Sequence, residues 1–262
     1  MRTLLLTAIE AAIEAGAEIM KIYADDFEVL LKPDDSPLTS ADKNANEVIN
    51  AHLKKTAYPI ISEENKQIAY DIRKTWDVCW MVDPLDGTKE FIKRNGEFTV
   101  NIALIKNNEP VLGVIYVPVS KNLYYAMVSE NKAFKSMLNN HGFTEEVFQN
   151  SIEITPEKVT NNQIKIVGSR SHKSEETDAF VQDLEAQGKK ISFLSKGSSL
   201  KFCLVAEGQA NLYPRFAPTM EWDTAAGHAI CTAVGLKVIQ AENGKALHYN
   251  KENLLNPYFV VQ

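Results

Sequence analysis

The chain has 262 residues, 45% of them hydrophobic and 24% charged, with Lys and Arg numbering 28 against 34 Asp and Glu. That is ordinary globular composition, and the length suits one large domain or two smaller halves sharing a core. The net charge of −6 argues against a nonspecific nucleic-acid binder. It leaves room for an anionic substrate, because bound cations can reverse the local field.

The chain opens with a helical pattern from Thr3 to about Ala24, in which Leu5, Ile9, Ile13, Ala17 and Met20 fall near one face. Glu10, Glu14 and Glu18 interrupt the apolar run, so this is an amphipathic helix rather than a signal peptide. No stretch approaches a transmembrane span. Cys79, Cys203 and Cys231 each sit in an apolar stretch, without a Cys-x-x-Cys pair. Reduced, buried thiols and a cytoplasmic location follow, with peripheral association at the cytoplasmic face of the inner membrane and the oligomeric state both left open.

Next come a short strand from Phe27 to Lys32, a loop over Pro33 to Pro37, a helix from Thr39 or Ser40 to about Lys55, and a short buried strand from Tyr58 to Ser62. Val78 to Val82 is an apolar run that reads as a buried strand. Phe98–Ile105, Val111–Val117 and Leu123–Val128 then form a meander joined by Asn107-Asn108 and Ser120-Lys121-Asn122. The stretch from Lys135 to about Asn162 is poor in pattern. It is the expected boundary between an α+β half over residues 1–140 and an α/β half over 141–262. In the second half, strands at Ile164–Val167, Ile191–Leu194, Ala210–Tyr213 and Leu236–Ile239 alternate with helices at Glu175–Gln187, Ser199–Glu207 and Thr224–Val234.

The chemistry gathers where the Val78–Val82 strand ends, at Asp83-Pro84-Leu85-Asp86-Gly87-Thr88. As bare sequence this is a good β-turn. It is also a turn in which Asp83 and Asp86 can face one divalent cation or bridge two. Pro84 fixes φ there, Gly87 permits close approach to an anion, and Thr88 offers a hydroxyl to a water. Other acids could join. Glu63 and Glu64 follow Ile60-Ile61-Ser62 and, taken alone, read as a solvated acidic loop, although an acid at the mouth of a buried strand can face the same cleft as Asp83. Asp223, just before an apolar helix, is a plain N-cap or a cation ligand beside a phosphate-friendly helix end. Asp42 is a first-turn acid, or a partner for Thr88 in orienting a water. Oxygen donors without ligand spacing among His52, His141, His172, His228 and His248 favour Mg²⁺ over zinc. No Walker-type loop and no Gly-x-Ser-x-Gly elbow is present.

Taken together, Asp83–Thr88 and Trp222-Asp223-Thr224-Ala225-Ala226-Gly227 resemble the paired signatures of the inositol monophosphatase-like, lithium-sensitive phosphatase superfamily. Ser62-Glu63-Glu64 and Thr39-Ser40-Ala41-Asp42 fit two further acidic motifs in the same order. Thr88-Lys89-Glu90-Phe91, Gly168-Ser169-Arg170-Ser171-His172 and Tyr213-Pro214-Arg215-Phe216 look like the branch of bacterial CysQ-type 3′(2′),5′-bisphosphate nucleotidases. The resemblance implies a five-layer αβαβα sandwich and a Mg²⁺-dependent phosphatase, with two or three ions per site. It implies that Glu64, chosen over Glu63 on this ground alone, would bind those ions together with Asp83, the Leu85 carbonyl, Asp86 and Asp223. Thr88 and Asp42 would activate water, and Gly87 and Thr88 would hold the scissile phosphate. His172, Ser198, Lys201 and Arg215 would surround the nucleotide. The expected reaction is hydrolysis of 3′-phosphoadenosine 5′-phosphate to AMP and phosphate in sulfur metabolism, with the sulfated precursor as a further substrate. The alternatives are an inositol or other sugar phosphate, and a nucleotide- or metal-binding regulator without turnover.

Overall fold

The computed structural model describes residues 1–25, 28–31, 37–169 and 174–262. Its elements run α1 (Arg2–Ala24), β1 (Val29–Leu31), β2 (Pro37–Thr39), α2 (Ser40–Leu53), β3 (Ile60–Ser62), α3 (Tyr70–Arg73), β4 (Val78–Asp86), α4 (Thr88–Ile92), β5 (Thr99–Lys106), β6 (Glu109–Val117), β7 (Asn122–Met127) and β8 (Lys132–Met137). They continue with α5 (Glu146–Gln149), β9 (Ile152–Ile154), β10 (Gln163–Gly168), α6 (Glu175–Ala186), β11 (Lys190–Ser195), α7 (Leu200–Ala206), β12 (Tyr213–Arg215), α8 (Glu221–Ala233), β13 (Val238–Gln240) and β14 (Phe259–Val261).

Seven strands form the main sheet in the order β3-β4-β5-β6-β7-β8-β9. Only β3 and β4 are parallel; the other neighbours are antiparallel. The β5–β6 hairpin turns on Asn107 and Asn108, both at positive φ, as a two-residue primed turn requires. Period-two alternation sends Trp80, Val82, Val100, Ile102, Leu104 and Val114 to one face, where α1 and α2 cover them. Cys79, Met81, Ala103, Ile105 and Ile115 go to the other, against α7 and α8. A second sheet lies beyond those helices. In it β10 pairs parallel with β11, and β14 lies between β12 and β13. A bridge from Ile166 to Leu212 links the two groups. Val181 and Phe180 of α6 close the stack against Ile164, Ile166 and Ile191. The order is therefore the five-layer αβαβα sandwich expected from the resemblance.

Two close approaches fix α8 within this stack. A Cβ on Gly113 of β6 would meet the Ala226 carbonyl and the Ala229 methyl, and one on Gly227 would strike the Phe202 ring of α7. The small residues of Ala225-Ala226-Gly227 thus let α8 lie flat between the main sheet and α7, which carries its N-terminal turn to the end of β4.

Several boundaries differ from expectation. The stretch after Lys135 holds the end of β8, helix α5 and strand β9, and β8 and β9 pair in the main sheet, so a division at 140/141 would fall between two paired strands. The β9 signal is weak because Ile152 and Glu153 are exposed and only Ile154 is buried. The strand expected over Ala210–Tyr213 begins at Tyr213 instead, and β14, which is not among the expected strands, follows the turn dipeptide Asn256-Pro257. On α1 the buried face is broader than one stripe, running through Ala8, Ala11, Ala12, Ala15 and Ile19, while Ala17 and Met20 are only half-buried. This helix packs on α2 as well as on the sheet. All three cysteines are free and buried, and among the described residues no helix is long and apolar enough to cross a membrane.

Candidate active site

Asp83 and Asp86 do not reverse the chain. Strand β4 continues through both, pairing Asp83 with Asn101 and Asp86 with Thr99. Pro84 and Leu85 on β4 therefore oppose Val100 alone on β5, which makes a β-bulge rather than a turn. Pro84 suits the bulge because it has no ladder donor to lose. Asp83 Oδ1 accepts from the Leu85 amide at 3.0 Å, which fixes the loop from within. Gly87 then takes φ of +95°, and α4 begins at Thr88. A side chain at that backbone angle is strained, and a Cβ there would also sit 3.2 Å from the Glu97 carbonyl.

The carboxylate that meets Asp83 from β3 is Glu63, not Glu64. Ile61 pairs with Met81 and Ser62 with Val82, and the Glu63 amide donates to the Val82 carbonyl, so the register carries Glu63 alongside Asp83. Ser62 turns its hydroxyl to Asn46 on α2. Alternation then sends Glu63 to the opposite face, where Asp83 and Asp223 lie. Burial, the charges of Glu63, Asp86 and Asp223, and a hydrogen bond with Glu63 all push the Asp83 carboxyl well above the usual range. Asp223 is raised by burial and by the charges of Asp86 and Glu63. The alternation from Ile61 was the sequence signal that separates Glu63 from Glu64.

Asp223 lies inside α8 rather than before it, since the helix starts two residues earlier at Glu221. Its Oδ2 accepts from the Met220 amide at 2.9 Å, so it closes the first turn from the third helical position. Asp42 holds the corresponding position on α2. Its Oδ2 accepts from the Thr39 amide and hydroxyl, both at 2.7 Å, and Thr88 Oγ1 donates to its Oδ1 at 3.1 Å. The capping role and the pairing with Thr88 are thus fulfilled by one buried carboxylate, a different oxygen serving each.

Asp86, Gly87 and Asp223 line one cleft with Ser198, Lys201 and Arg215. Lys201 is buried, and its Nζ donates to the Ser198 carbonyl at 2.6 Å and lies over the Tyr213 ring. Burial lowers its pKa to about 8, against the opposing pull of Asp86. Arg215 donates from Nη2 to the Pro218 carbonyl, while its Nε is buried without a hydrogen-bond partner among the described residues. Ser198 stands at φ of +47°. Glu90, unassigned from sequence, also lines the cleft, with its carboxyl raised by burial. Glu97 accepts from the Gly197 amide and pairs with Lys196, tying the loop before α7 to the main sheet. His172 and Arg170 lie outside the described residues.

Among the described residues no group of three or more His, Cys, Asp or Glu already stands as a cation cage. The donor chemistry nonetheless fits a hard divalent cation. Glu63, Asp83, Asp86 and Asp223 act on one another as like charges in a buried setting, an arrangement that wants a countercharge, and all are oxygen donors.

The model of the inositol monophosphatase family matches residues 1–258. The chain is 48% identical over 258 residues to the 3′(2′),5′-bisphosphate nucleotidase CysQ of Salmonella typhimurium, with 96% of each chain covered. It is 45% identical to the protein of the same name from Escherichia coli K12, again over 96% of each. The crystal structure of CysQ from Bacteroides thetaiotaomicron, described as a bacterial member of the inositol monophosphatase family, superposes with a TM-score of 0.90 at 49% identity, covering 100% of this chain and 97% of that one. On the fold, the motifs and these matches, the chain belongs to the inositol monophosphatase family.

Proposed function

We propose that this protein is a Mg²⁺-dependent phosphatase that hydrolyses 3′(2′),5′-bisphosphate nucleotides, converting 3′-phosphoadenosine 5′-phosphate to AMP and phosphate. The sulfated precursor, which carries the same 3′-phosphate, is a second substrate. The names of the relatives above supply the substrate class. One observation on this chain carries it: the cleft that opens on Asp86 and Asp223 also holds two cationic side chains, Lys201 and Arg215, one of them with a buried donor that has no partner among the described residues. A substrate with a single phosphate leaves that second positive pole unused. A bisphosphate fills both ends.

Phosphate monoester hydrolysis needs rate enhancements of up to roughly 10²¹, of which a positioned base supplies about 10²–10⁴. Bound divalent cations supply most of the rest by neutralising phosphate oxygens, activating water and stabilising the leaving oxygen. Glu63, Asp83, Asp86, Asp223 and the Leu85 carbonyl would hold them. Thr88 and Asp42 orient the attacking water. The Asp42 carboxylate fixes the Thr88 hydroxyl at 3.1 Å, and the pair takes up the water's proton as it attacks in line. Gly87 brings backbone close to the scissile phosphate. Lys201 and Arg215 bind the phosphate that is not cleaved.

Product analysis tests this reading. Incubation of 3′-phosphoadenosine 5′-phosphate with protein and Mg²⁺ should yield adenosine 5′-phosphate and inorganic phosphate. Accumulation of adenosine 3′-phosphate would mean that the two phosphates are bound the other way round. Binding without release would support the regulator.

A further inference from the structure

Two buried residues beside the acidic cluster have no role in the account so far. Ser199, just before α7, and Asn101, on β5, are 2% and 1% exposed. Ser199 Oγ lies 2.7 Å from Asp86 Oδ2 and 2.8 Å from the Asp223 carbonyl. Asn101 Nδ2 donates to Ser199 Oγ at 2.8 Å and reaches Asp86 Oδ2 at 3.2 Å. Three separate elements, β4, β5 and the loop into α7, thus meet at one carboxylate oxygen, with the first turn of α8 within reach of the same hydroxyl.

A serine hydroxyl has one proton to donate. Accepting from Asn101, Ser199 can donate to Asp86 or to the Asp223 carbonyl, and not to both. A hydrogen bond to a carboxylate is roughly twice as strong as one between neutral groups, so the Ser199 hydroxyl donates to Asp86 Oδ2, the nearer of its two acceptors. Its Oδ2 is then occupied by two protein donors. Its Oδ1 has none among the described residues, and Asp86 lines the cleft.

We propose that Asn101 and Ser199 are positioning residues that hold Asp86 by Oδ2 so that Oδ1 is presented to the cation, and that Ser199 makes this geometry depend on the docking of the second half of the chain. The proposal rests on the cation-dependent reading of the site. Partners that orient a ligating carboxylate typically carry 10–100-fold in metal affinity, and a bond at 2.7 Å holds more firmly than one at 3.2 Å.

The test is Mn²⁺ binding to metal-free protein, followed by electron paramagnetic resonance, with thermal melting in EDTA as the control for folding. Ser199→Ala should raise the Mn²⁺ dissociation constant about 10–100-fold while the melting temperature in EDTA moves by no more than about 4 °C. Asn101→Ala, which keeps the shorter bond to Asp86, should raise it less. In turnover, the activation constant for Mg²⁺ should rise by a larger factor than kcat falls. Unchanged Mn²⁺ affinity in Ser199→Ala, alongside normal binding by the parent protein, overturns the positioning role and leaves the cation site standing. Weakened binding that appears only together with a collapse of the EDTA melting temperature also overturns it, as a folding effect. Absence of Mn²⁺ binding by the parent protein overturns this inference and the cation-dependent reading together.

Discussion

Asp83→Asn should make the metal-free protein more stable and the enzyme inactive. Asp83 is 1% exposed, and its ionised form is opposed by burial and by Glu63, Asp86 and Asp223. The substitution keeps the shape and the acceptor for the Leu85 amide. It removes one charge from a set of mutually repelling carboxylates; for scale, two like unit charges about 4 Å apart at an effective dielectric constant near 20 repel by about 4 kcal/mol. Loss of some solvation and of local fit leaves a net gain of about 1–3 kcal/mol, or roughly 2–10 °C in melting temperature for a chain of this size. The pH dependence has a definite sign. A carboxyl whose folded pKa is raised destabilises the fold when charged, so the parent protein in EDTA should gain stability as pH falls from neutral towards the ordinary carboxylate range near 3.9. Asp83→Asn should flatten that gain, and saturating Mg²⁺ should abolish it in the parent, since the cation then supplies what protons supply in its absence. Thermal melts across pH, with and without Mg²⁺, measure all three effects, and phosphate release should drop by roughly 10³-fold or more, in line with losing several kcal/mol of charge stabilisation. A metal-free Asp83→Asn protein less stable than its parent, with an intact Mg²⁺-induced shift, would mean that Asp83 is neither a source of repulsion nor a cation ligand.

Glu63→Gln should weaken Mg²⁺ activation at least tenfold, whereas Glu64→Gln should change it by less than about threefold; carboxylate ligands and their orienting groups carry losses of this order, and titrating activity against Mg²⁺ in both variants checks it. Asp42→Asn should lower kcat by about 10²–10⁴ with KM nearly constant, and a change confined to KM would remove Asp42 from water activation. Arg215→Ala should raise KM for the bisphosphate by roughly 10–100-fold, the loss of a charged hydrogen bond worth about 1.5–3 kcal/mol, and leave hydrolysis of a single-phosphate ester unaffected in parallel steady-state assays. Gly197→Ala should lower stability by about 1–3 kcal/mol in denaturant melts, because the new methyl would lie 2.7 Å from Glu90 Cγ and 2.8 Å from the Glu97 carbonyl.

Much of this molecule is legible in its sequence where periodicity and punctuation agree. Helix α2 is an example, since Thr39 and Asp42 both mark its start and the structure shows the reciprocal cap. The β5–β6 hairpin is another, with Asn107-Asn108 specifying a turn that needs two positive φ angles. Legibility fails where meaning depends on a partner distant in the chain. Asp-Pro-Leu-Asp-Gly reads locally as a turn, and only pairing with Asn101 and Thr99 makes it a bulge. Glu63 and Glu64 are the same residue type one position apart; the face each takes is set by the register of β3 on β4. Ser199 and Asn101 lie 98 positions apart, and no motif spacing announces their meeting at Asp86. Strand β9 is short, half-exposed and at a sheet edge, so it lacks the burial that gives a strand its pattern.

The most direct test of the account is phosphate release from 3′-phosphoadenosine 5′-phosphate and from inositol 1-phosphate, compared as kcat/KM in Mg²⁺ and repeated in EDTA. The expected result is strong preference for the nucleotide and loss of both activities with the chelator. Preference for the inositol ester would contradict the assignment of Lys201 and Arg215 to a second phosphate, and turnover that survives the chelator would contradict the role given to Glu63, Asp83, Asp86 and Asp223.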